Sequence, residues 1–430
     1  MVANIIGTGI FTSLGFQVSG IPSGFALLSL WAIGGVCALC GALAYGELAA
    51  ALPRSGGEYN FLSAVFHPGV GFVAGWTSAT IGFAAPIALS AMAFGQYSQS
   101  IVPGVSPLAM SVAVASISSL VHLYSVRAGS VFQNAFTWVK VILIAAFIVA
   151  GFAFGHAQSI SFAPRSHDLH LVFSTPFAVS LVYVMYAYSG WNASTYIIGE
   201  VHNPQRNVPK SLLMGTTIVA LLYIGLNWIF LYTTPITKLT NQLQVGVIAG
   251  TEVFGRSGGR FMGALICLVL ISSISSMTWI GPRVAMAMGE DFRVLRLLAW
   301  KTKRGVPAVA VVLQLCIVNA LLFTTTFEVI LIYIQFTLIL CSFLTVLAVM
   351  VLRVTHPDLP RPYKIWAYPF PPLIFLSITL WMMISVLKAK PVESISGLGT
   401  MMLGLLVYFI SQKRGEREEI TSSLAMPAVE

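Results

Sequence analysis

Glycine interrupts two long apolar runs at a depth where a bilayer-spanning helix has to be continuous. The first interruption is Gly7-Thr8-Gly9 and the second is Ser189-Gly190, in the other half of the chain. Hydrocarbon offers no water to satisfy a freed N–H or C=O, and each unsatisfied group costs several kcal/mol. Such breaks therefore persist only where they line a cavity or grip a ligand.

The runs themselves set the class. The chain is 57% hydrophobic and 9% charged, with a mean hydropathy of +0.86, whereas a soluble domain carries roughly 25% charged residues. The reading is an all-α polytopic membrane protein; a β-barrel would instead show alternating segments of about 10 residues. Runs of roughly 20 or more residues, the length that crosses a bilayer, number about twelve. They cover 1–24, 25–52, 69–102, 106–126, 132–155, 172–200, 211–233, 259–289, 307–326, 328–353, 366–387 and 394–412.

Basic residues are unevenly placed. With a cytoplasmic N-terminus, the inside segments hold Arg54, Arg127, Arg206, Lys210, Arg283, Arg293, Arg296, Lys301, Lys303, Arg304, Arg353, Arg361, Lys364, Lys413, Arg414 and Arg417. The outside segments hold only Arg165, Lys238, Arg256, Arg260, Lys388 and Lys390. By the positive-inside rule both termini are then cytoplasmic. The net charge of +9 needs no nucleic-acid partner to explain it. No basic n-region or cleavage site marks a signal peptide. Half a span takes roughly 10 residues, so the short stretch before Gly7 is expected to be the remainder of a longer, truncated half-helix.

Spans 1–5 and 6–10 repeat one pattern: a broken first helix, a plain second, a long third, then two more. Five spans per block put the second copy in the membrane upside down, an inverted repeat. The expected organisation is a core over 1–353, accessory helices over 354–412 and a cytoplasmic tail over 413–430. Segment 234–258 is expected to form small helices over the outer end, and segment 290–306 a basic amphipathic surface helix.

The breaks also set the chemistry. A half-helix that begins after a break presents free N–H groups and partial positive charge, which suits a carboxylate. One that ends before a break presents carbonyls, which suit an ammonium. Ile6, Gly7, Thr8, Gly9 and Ile10 in the first break, and Tyr188, Ser189, Gly190, Trp191 and Asn192 in the second, can together hold an α-amino acid by its backbone. Paired breaks of this kind point to a transporter's central site. Tyr186, Tyr188, Trp191 and Asn192 are left to read the side chain, with Asn192 serving the substrate or capping the second half-helix. No acid or base lies within either break, so neutral substrates are favoured.

Lys140, deep in span 5, costs about 2.5–3.5 kcal/mol to insert near the bilayer centre. Either it snorkels to the interface or it is a fixed charge that pins the carbonyls of the first break. Ser273 and Ser276 share a face of span 8 and complete such a site, or bond within their own helix. Glu47 and Glu200 end their spans near Arg54, Arg206 and Lys210, as a gate latch or as plain interfacial pairs. Cys37, Cys40, Cys267, Cys316 and Cys341 fall within spans and read as small packing residues. No metal, cofactor or enzyme signature is expected.

Six strings resemble the amino acid–polyamine–organocation superfamily: GTGIFTSLG, YGELAAALPRSGGEYNFL, QNAFTWVKV, YAYSGWNASTYIIGEVHNPQRNVPKSL, GPRVAMAMGEDF and RPYKIWAYPFPP. They span nearly the whole chain in order, and the span 6 string is most similar to the L-type amino acid transporter branch and its bacterial relatives. The resemblance implies a five-plus-five inverted-repeat fold with two extra helices, working by alternating access. It implies that Thr8 and Gly9 meet the carboxylate, that carbonyls near Tyr188 and Ser189 meet the amine, and that Tyr186 is an aromatic gate. Lys140 then matches a lysine that stands in for sodium in distant relatives. Span 8 departs from many relatives in reading SSISSM, without an asparagine near Ser275. The loop SQSIVPGVSP carries no cysteine for the disulfide that animal L-type subunits make to a heavy chain, so that partner is not expected.

The expectation is a sodium-independent transporter of neutral α-amino acids in the plasma membrane, bacterial by preference, acting by exchange or with protons. Its rivals are a proton-coupled importer of cationic amino acids or polyamines, and a non-transporting membrane sensor or assembly subunit.

Overall fold

A computed structural model describes residues 1–124 and 126–412, with the side chains of all but 124–136 and His167. The tail 413–430, with Lys413, Arg414 and Arg417, and the side chain of Arg127 lie outside the described residues, so their placement stays an expectation. Among the described residues the regular structure is entirely helical.

The first run is two helices, α1 (Val2–Ile5) and α2 (Gly9–Gln17), and the second is α3 (Gly24–Ala51). Ser23 caps α3 by accepting from the Ala26 N–H, satisfying one of the orphan donors at a helix start. A short α4 (Glu58–Val65) precedes α5 (Pro68–Thr77) and α6 (Ala84–Ser98). A π turn over Ser78–Gly82 joins α5 to α6, making one 31-residue span, Pro68–Ser98. Next come α7 (Pro107–Tyr124), α8 (Val126–Phe154), α9 (Ser166–Val172) and α10 (Thr175–Tyr188). The chain continues through a 3-10 segment, Ala193–Glu200, into α11 (Pro204–Thr233), α12 (Ile236–Leu239) and α13 (Val245–Asp291). Last are α14 (Ala308–Thr324), α15 (Phe327–Thr355), α16 (Phe370–Ala389) and α17 (Pro391–Gln412).

Among the described residues, eight helical stretches are long and apolar enough to cross a membrane, and Pro107–Leu123 and Ala308–Thr324 are shorter apolar helices. With the two broken runs they account for the twelve expected segments, and the protein is a polytopic all-α membrane protein.

Boundaries move where local chemistry dictates. The seventh run starts at Pro204 rather than residue 211, because Asn203 turns the chain with a left-handed φ of 47° and Pro204 opens the helix. The eighth reaches back to Val245 across a kink at Gly255, whose φ is 70°. Segment 234–258 thus forms α12 and the first turns of α13, and the Asn241 N–H donates to the Gly15 carbonyl near the end of α2 (2.8 Å). Segment 290–306 contains a 3-10 turn, Arg293–Ala299, and exposes Leu297 and Trp300.

The broken runs occupy the centre. Helix α1 packs among α8, α11 and α13, and α2 lies against α10 and α13. Helix α10 in turn packs on α3, α15 and α16. Four cysteines are buried as packing residues, whereas Cys316 is exposed on α14.

Candidate functional site

In the first break Ile6 leaves the helix in an extended conformation (φ −72°, ψ 91°), and α2 restarts at Gly9. The carbonyls released at the end of α1 are met by side chains from distant helices. Lys140 Nζ lies 3.0 Å from the carbonyl oxygens of both Ala3 and Ile6, and 3.4 Å from Ser273 Oγ. Ser273 Oγ also donates to the Ile6 carbonyl (2.8 Å). Ser276 donates to the Ser273 carbonyl within its own helix (2.9 Å) and reaches Asn4 Oδ1 at 3.4 Å. Only 1% of Lys140 is exposed, so its amine ends at the break and does not snorkel. At the start of α2, Thr8 makes no side-chain cap, and its buried hydroxyl has no partner.

In the second break α10 ends at Tyr188, and Gly190 adopts a φ of +88°, which a residue with a Cβ rarely tolerates. The chain then winds into a 3-10 segment rather than the expected α-half-helix. It is rich in the β-branched residues Thr195, Ile197 and Ile198, and the Thr195 hydroxyl bonds back to the Asn192 carbonyl (2.7 Å). Such side chains favour tighter or non-helical local bonding.

The two breaks face each other. A Cβ added to Gly9 would stand 2.5 Å from Ala187 Cα, and one on Gly190 would stand 2.4 Å from Asn4 Nδ2. The Tyr223 hydroxyl lies within hydrogen-bond reach of carbonyls from both breaks, Ile5 (2.8 Å) and Ala187 (3.1 Å). Glycine therefore serves space in both breaks, and in the second it serves backbone conformation as well.

Beside the second break lies a cavity of about 60 Å³. Ser189, Gly190, Trp191 and Asn192 line it, with Asn4 from α1 and Ser78, Gly82 and Phe83 from the π turn and its exit. Ile6 to Ile10 do not line it. Nor do the two tyrosines expected to read a side chain. Tyr188 turns onto α3, where its hydroxyl donates to the Trp31 carbonyl (3.1 Å), and Tyr186 is buried outside the cavity lining. Asn192 makes no helix cap.

Sequence reasoning missed Glu58. Gly56 and Gly57, with φ of 115° and 56°, fold the chain so that α4 carries this acid to the cavity wall. It is 1% exposed. Its Oε1 accepts from the hydroxyl of Tyr45, from Ser342 Oγ (2.9 Å) and from Asn192 Nδ2 (3.3 Å). The absence of acids inside the breaks therefore does not make the cavity uncharged. The available signal was an acid directly after paired glycines.

The two terminal acids are paired, but not with the cations nearest in sequence. Glu47 grips Arg353 through two bonds of 2.7 and 2.6 Å, stands 3.6 Å from Arg361, and accepts the Ile365 N–H. Glu200 takes Arg283 of α13 (2.6 Å). Arg54 instead binds Asp291 at the end of α13 (2.6 Å), which also accepts from Tyr59. Arg206 and Lys210 point outward from α11 and are exposed. Helix packing brings α3 to α15 and the 3-10 segment to α13, and that overrides proximity along the chain.

Fold and site together define a polytopic helical membrane protein with two unwound segments meeting at its centre. Residues 1–408 match the amino acid permease family, and the chain belongs to that family. It is 27% identical over 418 residues to the b(0,+)-type amino acid transporter 1 of Mus musculus, covering 95% of this chain and 85% of the relative. The Asc-type amino acid transporter 1 of Mus musculus is 25% identical over 95% of this chain and 79% of its own length. The large neutral amino acids transporter small subunit 2 of Rattus norvegicus is 27% identical over 95% and 78% respectively. These relatives are transporters rather than enzymes, and amino acid transport is the function class of the chain.

Proposed function

We propose that the chain is a sodium-independent secondary transporter of neutral α-amino acids, working by alternating access as an exchanger or with protons. The observation that carries this reading is the face-to-face packing of two unwound segments, Gly9 against Ala187 and Gly190 against Asn4. In this reading the start of α2, with the unpartnered Thr8 hydroxyl, takes the substrate carboxylate. Carbonyls at Tyr188 and Ser189 take the ammonium, and Trp191 and Asn192 border the side chain. Lys140 supplies the fixed charge that another design would obtain from a bound cation.

The same reading divides the chain into a five-plus-five inverted-repeat core over 1–353, accessory helices over 354–412 and a tail over 413–430. Both termini lie in the cytoplasm, so the pairs Glu47–Arg353, Glu200–Arg283 and Arg54–Asp291 lie at the inner mouth and hold it shut. The membrane is the plasma membrane, bacterial by preference, and no disulfide-linked heavy subunit is needed.

Purified protein in liposomes loaded with unlabelled alanine, serine or leucine should take up the labelled compounds without sodium. Absence of uptake of every neutral amino acid, by exchange or down a proton gradient, would reject the reading. Import of cationic amino acids or polyamines is a second reading, favoured by one observation, the acid at the cavity wall.

A further inference from the structure

Glu58 is a buried acid that no cation compensates. Among the described residues, every ion pair engages some other carboxylate, and no Lys, Arg or His lines the cavity. The titratable groups around Glu58 are Tyr45 from α3, Tyr196 from the 3-10 segment and Cys341 from α15, none of which supplies positive charge. Arg54, close by in sequence, engages Asp291 through Nη2 and makes no ion pair with Glu58, its Nη1 being buried without a partner.

The two oxygens of Glu58 differ. Oε1 accepts from three side chains, whereas Oε2 is buried without a partner. A second acceptor, Oε1 of the cavity-lining residue Gln335, is also buried and unpartnered. Two lining residues thus each leave one acceptor unmet, and a desolvated carboxylate is costly until it gains a proton or a cation.

Resting on the transport reading above, we infer that Glu58 Oε2 seats one exchangeable positive charge that accompanies the substrate: a proton beside a neutral amino acid, or an ammonium carried by the substrate itself. Loading a proton converts the carboxylate to the acid, and release on the other side restores it. Asn192 couples this charge to the second break, since its amide donates to the carboxylate from within the unwound segment. Neutralising Glu58 weakens that bond and frees the amide to turn to a substrate.

The test uses the full-length protein in detergent and in liposomes. Adding a neutral amino acid to weakly buffered wild-type protein should produce proton uptake, read with a pH dye. Adding lysine should produce release or no uptake, because the ammonium replaces the proton. In liposomes, Glu58→Gln should lose the pH dependence and accompanying proton movement of the wild type, whatever rate of exchange it retains. Ser342→Ala removes one donor to the charged form and should move the pH midpoint upward, a shift that a merely structural role would not give.

Wild-type exchange of neutral amino acids with no proton change, together with no response to lysine, would overturn the inference while leaving the transport reading intact. Unaltered pH dependence in Glu58→Gln would do the same. If Glu58→Gln does not fold, the wild-type proton count and the Ser342→Ala midpoint decide. Failure of wild type to take up any neutral amino acid, by exchange or down a proton gradient, rejects the transport reading instead.

Discussion

Lys140 Nζ stands 3.0 Å from the carbonyl oxygen of Ile6, joining α8 to the residue at which the first helix unwinds. The same amine reaches Ala3, so one cation serves two carbonyls at the end of α1. Hydrogen bonds to charged groups are worth about 1.5–3 kcal/mol, comparable to the cost of inserting the lysine.

Lys140→Ala should therefore fold but lose most substrate flux. Ser273 can still donate to Ile6, so the break survives without its charge. Gel filtration in detergent should be unchanged while exchange in liposomes falls at least about tenfold, the kinetic equivalent of 1.36 kcal/mol. Wild-type exchange from this variant would reduce Lys140 to a packing residue.

Gly9→Ala places a methyl 2.5 Å from Ala187 Cα and 2.7 Å from its Cβ. Backbone cannot give way as a flexible side chain can, and overpacking costs about 1–3 kcal/mol. Melting temperature and substrate affinity should both drop. Gly399→Ala meets nothing within 4 Å and should leave both unchanged or slightly improved, as expected for alanine in a helix.

Tyr223→Phe removes the hydroxyl that serves Ile5 and Ala187. A buried carbonyl left without its donor costs about 1–3 kcal/mol. A lower melting temperature with weakened substrate binding is expected. A change in neither would mean that the breaks are held together by packing alone.

Glu47 is 2% exposed in its side chain, while Arg353 is 23% exposed. Glu47→Ala leaves Arg353 and Arg361 uncompensated and should destabilise by up to about 3–5 kcal/mol, the range for breaking buried pairs, reduced by the partial exposure of Arg353. Adding Arg353→Met should recover part of the loss in a double-mutant cycle. If the two effects simply add, the pair contributes no coupling.

Much of the fold was legible because the membrane permits few solutions. Length and apolarity alone located the helices, and glycines at Gly7, Gly9 and Gly190 marked where they stop. Lys140 was legible as the one cation deep in a span. Glu58 was legible only as an acid directly after paired glycines; that the two positive-φ glycines start α4 so as to carry it to the cavity wall is a long-range outcome its local spacing does not reveal. Ion-pair partners were equally hidden: Glu47 and Arg353 lie 306 positions apart, and only helix packing unites them. The direction of Tyr188 depends on helical phase at the last turn before the break, which an apolar string does not encode.

The π turn at Ser78–Gly82 carries one residue more than an α-helical turn would need, with the Thr80 hydroxyl bonded back to the Trp76 carbonyl (2.6 Å). The wider turn absorbs that residue locally, so the side chains beyond it keep the azimuth of a regular helix. Tyr97, whose hydroxyl meets the Phe11 carbonyl at 2.7 Å, is among them. Excising a single residue from the turn should therefore restore regular winding and leave Tyr97 on the broken helix. What the supernumerary amino acid changes is local, the stretch of wall at Ser78 and Gly82 that borders the cavity.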